Sequence, residues 1–179
     1  MIPKRFHILV ILFLFAFLWA SCTEEKTIES FEVYDGPLVE ADNLVMYYSD
    51  SAIVTTKAVA ARSLEFADGD REFPEGIHLE FYDLEGNTTS TIEANTAKFL
   101  KEENKWHAIG NVIVNNIENQ ERLNTEELFW YPQEQRISTE KKVSITLANK
   151  VIFGKGLEAD QNFETYEIKN PTGEFDIEQ

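Results

Sequence analysis

The chain has 179 residues, and its 16 Lys and Arg against 32 Asp and Glu give a formal net charge of −16. Such an excess of negative charge repels phosphate, which argues against nucleic-acid binding and against adhesion to anionic lipid headgroups. One cysteine excludes an internal disulfide, so the fold rests on the core that 13 Phe, 6 Tyr and 3 Trp can help to fill.

The chain opens with Lys4 and Arg5, followed by an apolar run from Phe6 to Ala20 broken only by His7. That run is roughly 15 residues, short of the roughly 20 that span a bilayer as a helix, and it reads as the core of an export signal. Small Ala20 and Ser21 precede Cys22, the arrangement a lipoprotein signal peptidase accepts. The expectation is a cleaved signal over 1–21 and a Cys22 acylated with two or three chains, enough to hold a protein on a membrane. Trp19 stands where the motif usually carries Leu, and an uncleaved anchor helix with an incidental cysteine is the competing reading. Cleavage removes two cations and no acid, so the mature domain is more acidic still.

Residues 22–37 are acidic, sparsely apolar and end in Gly36-Pro37, and they read as a tether. Beyond them the pattern is period two. Ile77, Leu79 and Phe81 alternate with His78, Glu80 and Tyr82, and Val112 and Val114 with Asn111 and Asn115. Val143, Ile145 and Leu147 alternate with Ser144 and Thr146, and Tyr166 and Ile168 with Glu167 and Lys169. Strict alternation predicts strands with one buried face. Turn chemistry at Ala67–Asp70, Glu85–Asn87, Glu102–Asn104, Asn116–Gln120, Pro132–Glu134 and Asn170–Gly173 separates them. The nearest helix candidate is Ala94 to Leu100, and it is short. The expected class is all-β, a sandwich or barrel-like sheet.

A small residue, a polar one and then aromatics recur around Asp42, Asn95, Glu126 and Asp160. After a longer first interval, with room for an insertion around Glu65 to Gly76, the spacing is roughly 30 to 35 residues, which suggests stacked hairpin units.

Catalytic groups are sparse. His7, His78 and His107 are isolated, no cysteine pairs with them at metal-ligand spacing, and no glycine-rich loop or nucleophile elbow is present. The acidic pairs Glu102-Glu103 and Glu126-Glu127 sit in or beside turns and read as solvated surface; a carboxylate hydrolase using Glu126 and Glu127 is the enzymatic alternative. No cofactor and no metal is expected. What the sequence offers instead is apolar surface on strand faces: Phe81, Phe99, Trp106, Ile109, Leu128, Trp130, Ile137 and Phe153. Either these fill a sandwich core, or they line a trough between two sheets that takes acyl chains. An acidic body would grip such a ligand by its hydrocarbon rather than by its phosphates.

Several stretches in order resemble the LptC family, within the OstA-like superfamily. They are Tyr47-Tyr48-Ser49-Asp50, Ile92 to Asn95 leading to Ala108-Ile109-Gly110-Asn111-Val112-Ile113-Val114, and Leu123 to Leu128. Val143-Ser144-Ile145 and the closing Gly154 to Asp160 complete the set. The resemblance covers roughly 38–169 and implies an open, twisted antiparallel β-jellyroll with a tail over 170–179. It implies a conduit rather than an enzyme, taking lipopolysaccharide from an inner-membrane ABC transporter and passing it to an LptA-like periplasmic partner. The groove would be lined by Ile77, Leu79, Phe81, Phe99, Trp106, Ile109, Val112, Val114, Leu128, Trp130, Ile137, Val143, Ile145 and Phe153. Docking would use the strand ending at Tyr47 and Tyr48 on one side, and Phe163, Tyr166 and Ile168 on the other. Gly156 matches a family glycine whose simpler role is a turn or bulge. Better-known family members are held by an uncleaved helix, whereas this chain carries Cys22. A β-sandwich lipoprotein binding protein or glycan at the envelope is the alternative function.

Overall fold

The computed structural model describes residues 34–176; the signal 1–21, Cys22 and most of the expected tether lie outside the described residues. Eleven strands form one antiparallel sheet. They are β1 (Val39–Asp50), β2 (Ile53–Glu65), β3 (Arg71–Phe73), β4 (Ile77–Tyr82), β5 (Thr88–Ala94), β6 (Thr96–Leu100) and β7 (Lys105–Asn116). Then come β8 (Glu121–Tyr131), β9 (Arg136–Thr146), β10 (Lys150–Asp160) and β11 (Tyr166–Asp176). The all-β expectation holds, as a jellyroll-like sandwich.

The pairing shows how one sheet becomes two layers. β4 pairs the first half of β2 at Thr56–Val59, and β3 pairs its end at Leu64 and Glu65. β6 pairs the first half of β7, and β5 its second half. β3 with β4, and β5 with β6, therefore each act as one long strand bent in the middle. The whole chain is a meander of bent strands, with two arms meeting at a crease. One arm holds β4, β5 and the Val112–Asn116 half of β7; the other holds β3, β6 and its Lys105–Ile109 half. β8, β9 and β10 run through both.

Each strand turns the corner by a local device. Asn95 sits between β5 and β6, and its N–H donates to the carbonyl of Gly110 at 2.9 Å. Gly110 has φ 78° and Asn111 φ 46°, where the β7–β8 register also shifts. Further shifts fall between Thr125 and Phe129 on β8 and around Gly156, φ 79°, on β10. Gly110 is required twice over: side chains avoid its φ, and a Cβ there would press on the Asn95 side chain at 3.1 Å. Three of the four repeat positions, Asp42, Asn95 and Glu126, lie at or beside the crease, whereas Asp160 ends β10 beyond it. The recurring unit is the bent strand rather than the hairpin.

Inward positions build the core. Leu79, Phe81, Ile92, Val112, Val114, Leu123 and Ile145 come from one arm, and Phe73, Leu128, Ile137 and Leu157 from the other. Ring contacts join the arms: Phe81 meets Trp130 edge-on at 5.0 Å, and Tyr48 meets Trp106 edge-on at 6.3 Å.

Two local expectations are corrected. Ala94 to Leu100 is not helical, because Ala97 and Phe99 alternate inward with Lys98 outward and pair with β3 and β7. Asn170 to Gly173 is not a turn but the middle of β11, paired to β10 with a bulge at Thr172, next to Pro171. An edge strand tolerates a proline because its second row of hydrogen-bonding groups has no partner to lose. The strand continues through Asp176 into what the sequence suggested was tail. The apparent insertion at 65–76 contains β3, whose Phe73 is fully buried.

Candidate lipid site

At the open side of the bend, away from the crease, the arms part around a cavity of about 740 Å³. Tyr48 at the end of β1, Thr56 on β2 and Tyr82 on β4 form one wall. Phe99 on β6, Trp106 on β7 and Trp130 on β8 form the other. Period two places Tyr48, Phe99, Trp106 and Trp130 inward and Tyr82 in the outward register of Glu80; Trp106 and Trp130 are themselves buried and meet Tyr48 and Phe81 of the opposite arm. Trp106 is the hub: it stacks on Phe73 at 5.3 Å and touches Phe99 at 5.1 Å and Trp130 at 5.9 Å. Burial raises the Tyr48 hydroxyl pKa above its ordinary value, with Arg71 beside it pulling the other way.

The rim has the opposite character. Asp50, Asp83, Glu134 and Asp160 stand around the opening, and among the described residues no lysine or arginine lines it. Asp83 is held below the usual carboxylate range by the Asn87 side chain and neighbouring backbone N–H groups, so it stays charged. An aromatic floor within an acidic rim favours hydrocarbon and disfavours phosphate.

The sequence-expected groove residues divide by position. Phe99, Trp106 and Trp130 line the cavity. Leu79, Phe81, Val112, Val114, Leu128, Ile137, Val143 and Ile145 are buried in the packed core, as is Ile77 near the crease. Ile109 is half-buried and shares the outward register of His107. Phe153 is exposed on the outer face, edge-on to Phe175 at 5.8 Å. Among the expected docking residues, Tyr47 is exposed on β1 and Tyr48 faces the cavity. Tyr166 and Ile168 are half-buried on β11, Gly156 is a buried crease residue, and Phe163 is fully buried. Sequence reasoning passed over Thr56, Ser90 and Asn116. Their signal was a polar side chain at an inward position of an alternating strand.

The Glu126-Glu127 pair lies on the outer face. Glu127 accepts from Lys141 Nζ at 3.1 Å and meets His107 Nε2 at 3.2 Å. Lys141, and then His107, hold its carboxyl below the ordinary glutamate value of 4.5. Lys57 and the Tyr82 hydroxyl do the same for Glu80. A depressed carboxylate stabilises the fold above its ordinary pKa and loses that contribution as pH falls through the folded value. Glu121, raised by burial, works in the opposite sense, favouring the fold as it protonates. These groups are partly solvated, so each effect is modest. The thermal midpoint is expected to fall as the pH is lowered below about 4.5, and Glu127→Gln to flatten that fall. Melting curves across pH check this; a variant curve parallel to the parent's would remove Glu127 from the account.

A scan of protein-family models matches residues 7–172 to the family described as lipopolysaccharide-assembly, LptC-related. The chain belongs to the LptC family. No curated protein matches it significantly. LptC-family membership implies involvement in lipopolysaccharide transport at the periplasmic side of the envelope, as a transport protein rather than a known kind of enzyme. Among the described residues no helix is long and apolar enough to cross a membrane.

Proposed function

We propose that the chain is a periplasmic lipid conduit that receives lipopolysaccharide from an inner-membrane ABC transporter and hands it to an LptA-like partner. The observation that carries this reading is the aromatic-floored cavity between the arms. It is open to solvent on one side and apolar where acyl chains would lie, and its acidic rim repels phosphate. Docking follows from the sheet's ends. Among the described residues β1 pairs only with β2, and β11 only with β10, so each offers a free edge for strand addition. The β1 edge, with exposed Tyr47, faces the transporter in this reading, and the β11 edge, with Tyr166 and Ile168, faces the partner. Acyl chains on Cys22 hold the domain at the inner membrane, in place of the helix that anchors better-known family members.

The test is photo-crosslinking from position 99 in the full-length chain in cells. Lipopolysaccharide adducts at 99 support the reading. Adducts confined to outward turn positions such as Glu85 and Glu118 overturn it.

A further inference from the structure

The loop between β10 and β11 does more than connect two edge strands. Asp160 organises it: one carboxylate oxygen accepts from the N–H groups of Asn162 and Glu164, at 2.9 and 3.2 Å. The other accepts from the N–H and hydroxyl of Thr165, at 2.6 and 2.8 Å. The Gln161 N–H donates to the carbonyl of Gln135 at 2.8 Å, tying the loop's base to the start of β9. From that base the loop reaches inward. Phe163 takes φ 57°, a left-handed conformation that a phenylalanine rarely adopts, and its ring is fully buried against Tyr166 at 4.9 Å.

The opposite arm holds it there. Ser90 Oγ on β5 donates to the carbonyl of Gln161 at 3.0 Å. Asn116 Nδ2 at the end of β7 donates to the carbonyls of Asn162 and Phe163, at 3.1 and 3.2 Å. Thr89 Oγ1 donates to the Asn162 side chain at 3.3 Å. Ser90 and Asn116 are 0% and 3% exposed, on the same inward face as Ile92 and Val114. The apolar alternation is interrupted where those strands meet the loop. Besides the buried Phe163 ring, what holds the loop to the opposite arm is a set of neutral hydrogen bonds that water can replace.

The loop also ends the cavity. Gln161 and Asn162 belong to its lining, and Trp130 Nε1 donates to Gln161 Oε1 at 3.1 Å. Ile137 and Leu157, inward on β9 and β10, belong to the buried core, and Ile168 on β11 packs against it.

Resting on the lipid reading above, we propose that Gln161–Thr165 is a releasable stopper. Seated, it confines acyl chains to the cavity over Trp106 and Trp130. Lifted off Ser90 and Asn116, it joins that cavity to the inner face of β9–β11 and lets the chains move toward the β11 edge.

The experiment uses the full-length chain in cells with a photo-crosslinker at position 99, within the cavity, or at 168, past the loop. Two further backgrounds are compared with the parent. One carries Thr89→Cys with Asn162→Cys, side chains in contact across the arms, so that oxidation locks the stopper and reductant frees it. The other carries Ser90→Ala, which removes one latch bond. The expected result is lipopolysaccharide adducts at 99 in every background. Adducts at 168 should vanish in the locked form and return on reduction. In Ser90→Ala they should rise roughly two- to tenfold, the range that loss of one neutral hydrogen bond gives. Adducts at 168 that ignore the lock while 99 stays labelled would overturn the stopper and leave the conduit standing. Absence of adducts at 99 as well would overturn both.

Discussion

Phe81→Ala is expected to lower the free energy of unfolding by about 3–5 kcal/mol, the range for a large aromatic side chain removed from a core. Phe81 is fully buried near the end of β4, and its ring meets Trp130 edge-on at 5.0 Å with an interplanar angle of 85°. The contact runs between arms, so the substitution removes apolar burial and a favourable ring pair, the second worth about 0.5–1.5 kcal/mol. Relaxation cannot recover much. Phe81 is paired on both sides, to Thr56 on β2 and Ser90 on β5, so the backbone is not free to collapse into the void. Against a total stability of about 5–15 kcal/mol for a domain, this is a large fraction. Urea unfolding followed by tryptophan fluorescence measures it, with Trp130 close to the altered site. A loss below about 1.5 kcal/mol would mean that the arms are not packed against each other through this ring.

Gly154→Val is expected to loosen the C-terminal edge while sparing the rest. Gly154 lies on β10 and is buried, and a Cβ there would collide with the Ile168 Cγ2 methyl. It would also stand 3.0 Å from the Asn170 carbonyl oxygen and 3.4 Å from Pro171 Cα. Two of those three neighbours are backbone, and a β-branched side chain has few rotamers to retreat into. β11 must shift, at a cost of about 1–3 kcal/mol, typical of overpacking. Because β11 pairs only with β10 among the described residues, the damage should be local. Amides of Tyr166–Asp176 should exchange faster with solvent while those of β4 and β5 keep their protection. Gly173→Ala is the control on the same strand: its added Cβ meets only Phe175 at an ordinary 3.8 Å, and the change should stay within about 0.5 kcal/mol. Equal exchange in the two variants would refute the steric account.

The strands were legible because one face of each is buried. Ile77, Leu79 and Phe81 against His78, Glu80 and Tyr82 is a pattern only a half-buried strand produces. Family membership was legible for a related reason, since the Gly110-Asn111 and Gly154–Asp160 segments carry the crease geometry in their residue types. The crease itself was not. Ala94-Asn95-Thr96-Ala97 looks helical locally, and only pairing to β3 and β7, distant in sequence, makes it a bend between two strands.

The site was half legible for a different reason. Periodicity says which way a side chain points but not how near the facing layer comes, so Trp106 and Trp130 looked like Val112 and Ile145. What separates them is that strands end near the first pair. Phe163 was hidden further, because its loop gives no periodic signal and its ring reaches the interior through a left-handed turn. Ser90 and Asn116 were visible as exceptions, but an exception acquires meaning only when the loop that it contacts is known.

The crease has a mechanical consequence. Deviations from regular strand geometry at Asn95, Gly110-Asn111 and Gly156 gather along one line, while away from it the register shifts only near the ends of β1 and β4 and between β10 and β11. Such a line behaves as the spine of a book. A change in the angle between the two arms is absorbed by a few backbone torsions at the spine, and no inter-strand hydrogen bond in either cover need break. Widening the opening is then resisted mainly by what spans the gap, the ring contacts across it and the polar bonds to the 161–165 loop. Stiffness in the covers and compliance at the spine let a single continuous sheet be durable as a scaffold and adjustable in width.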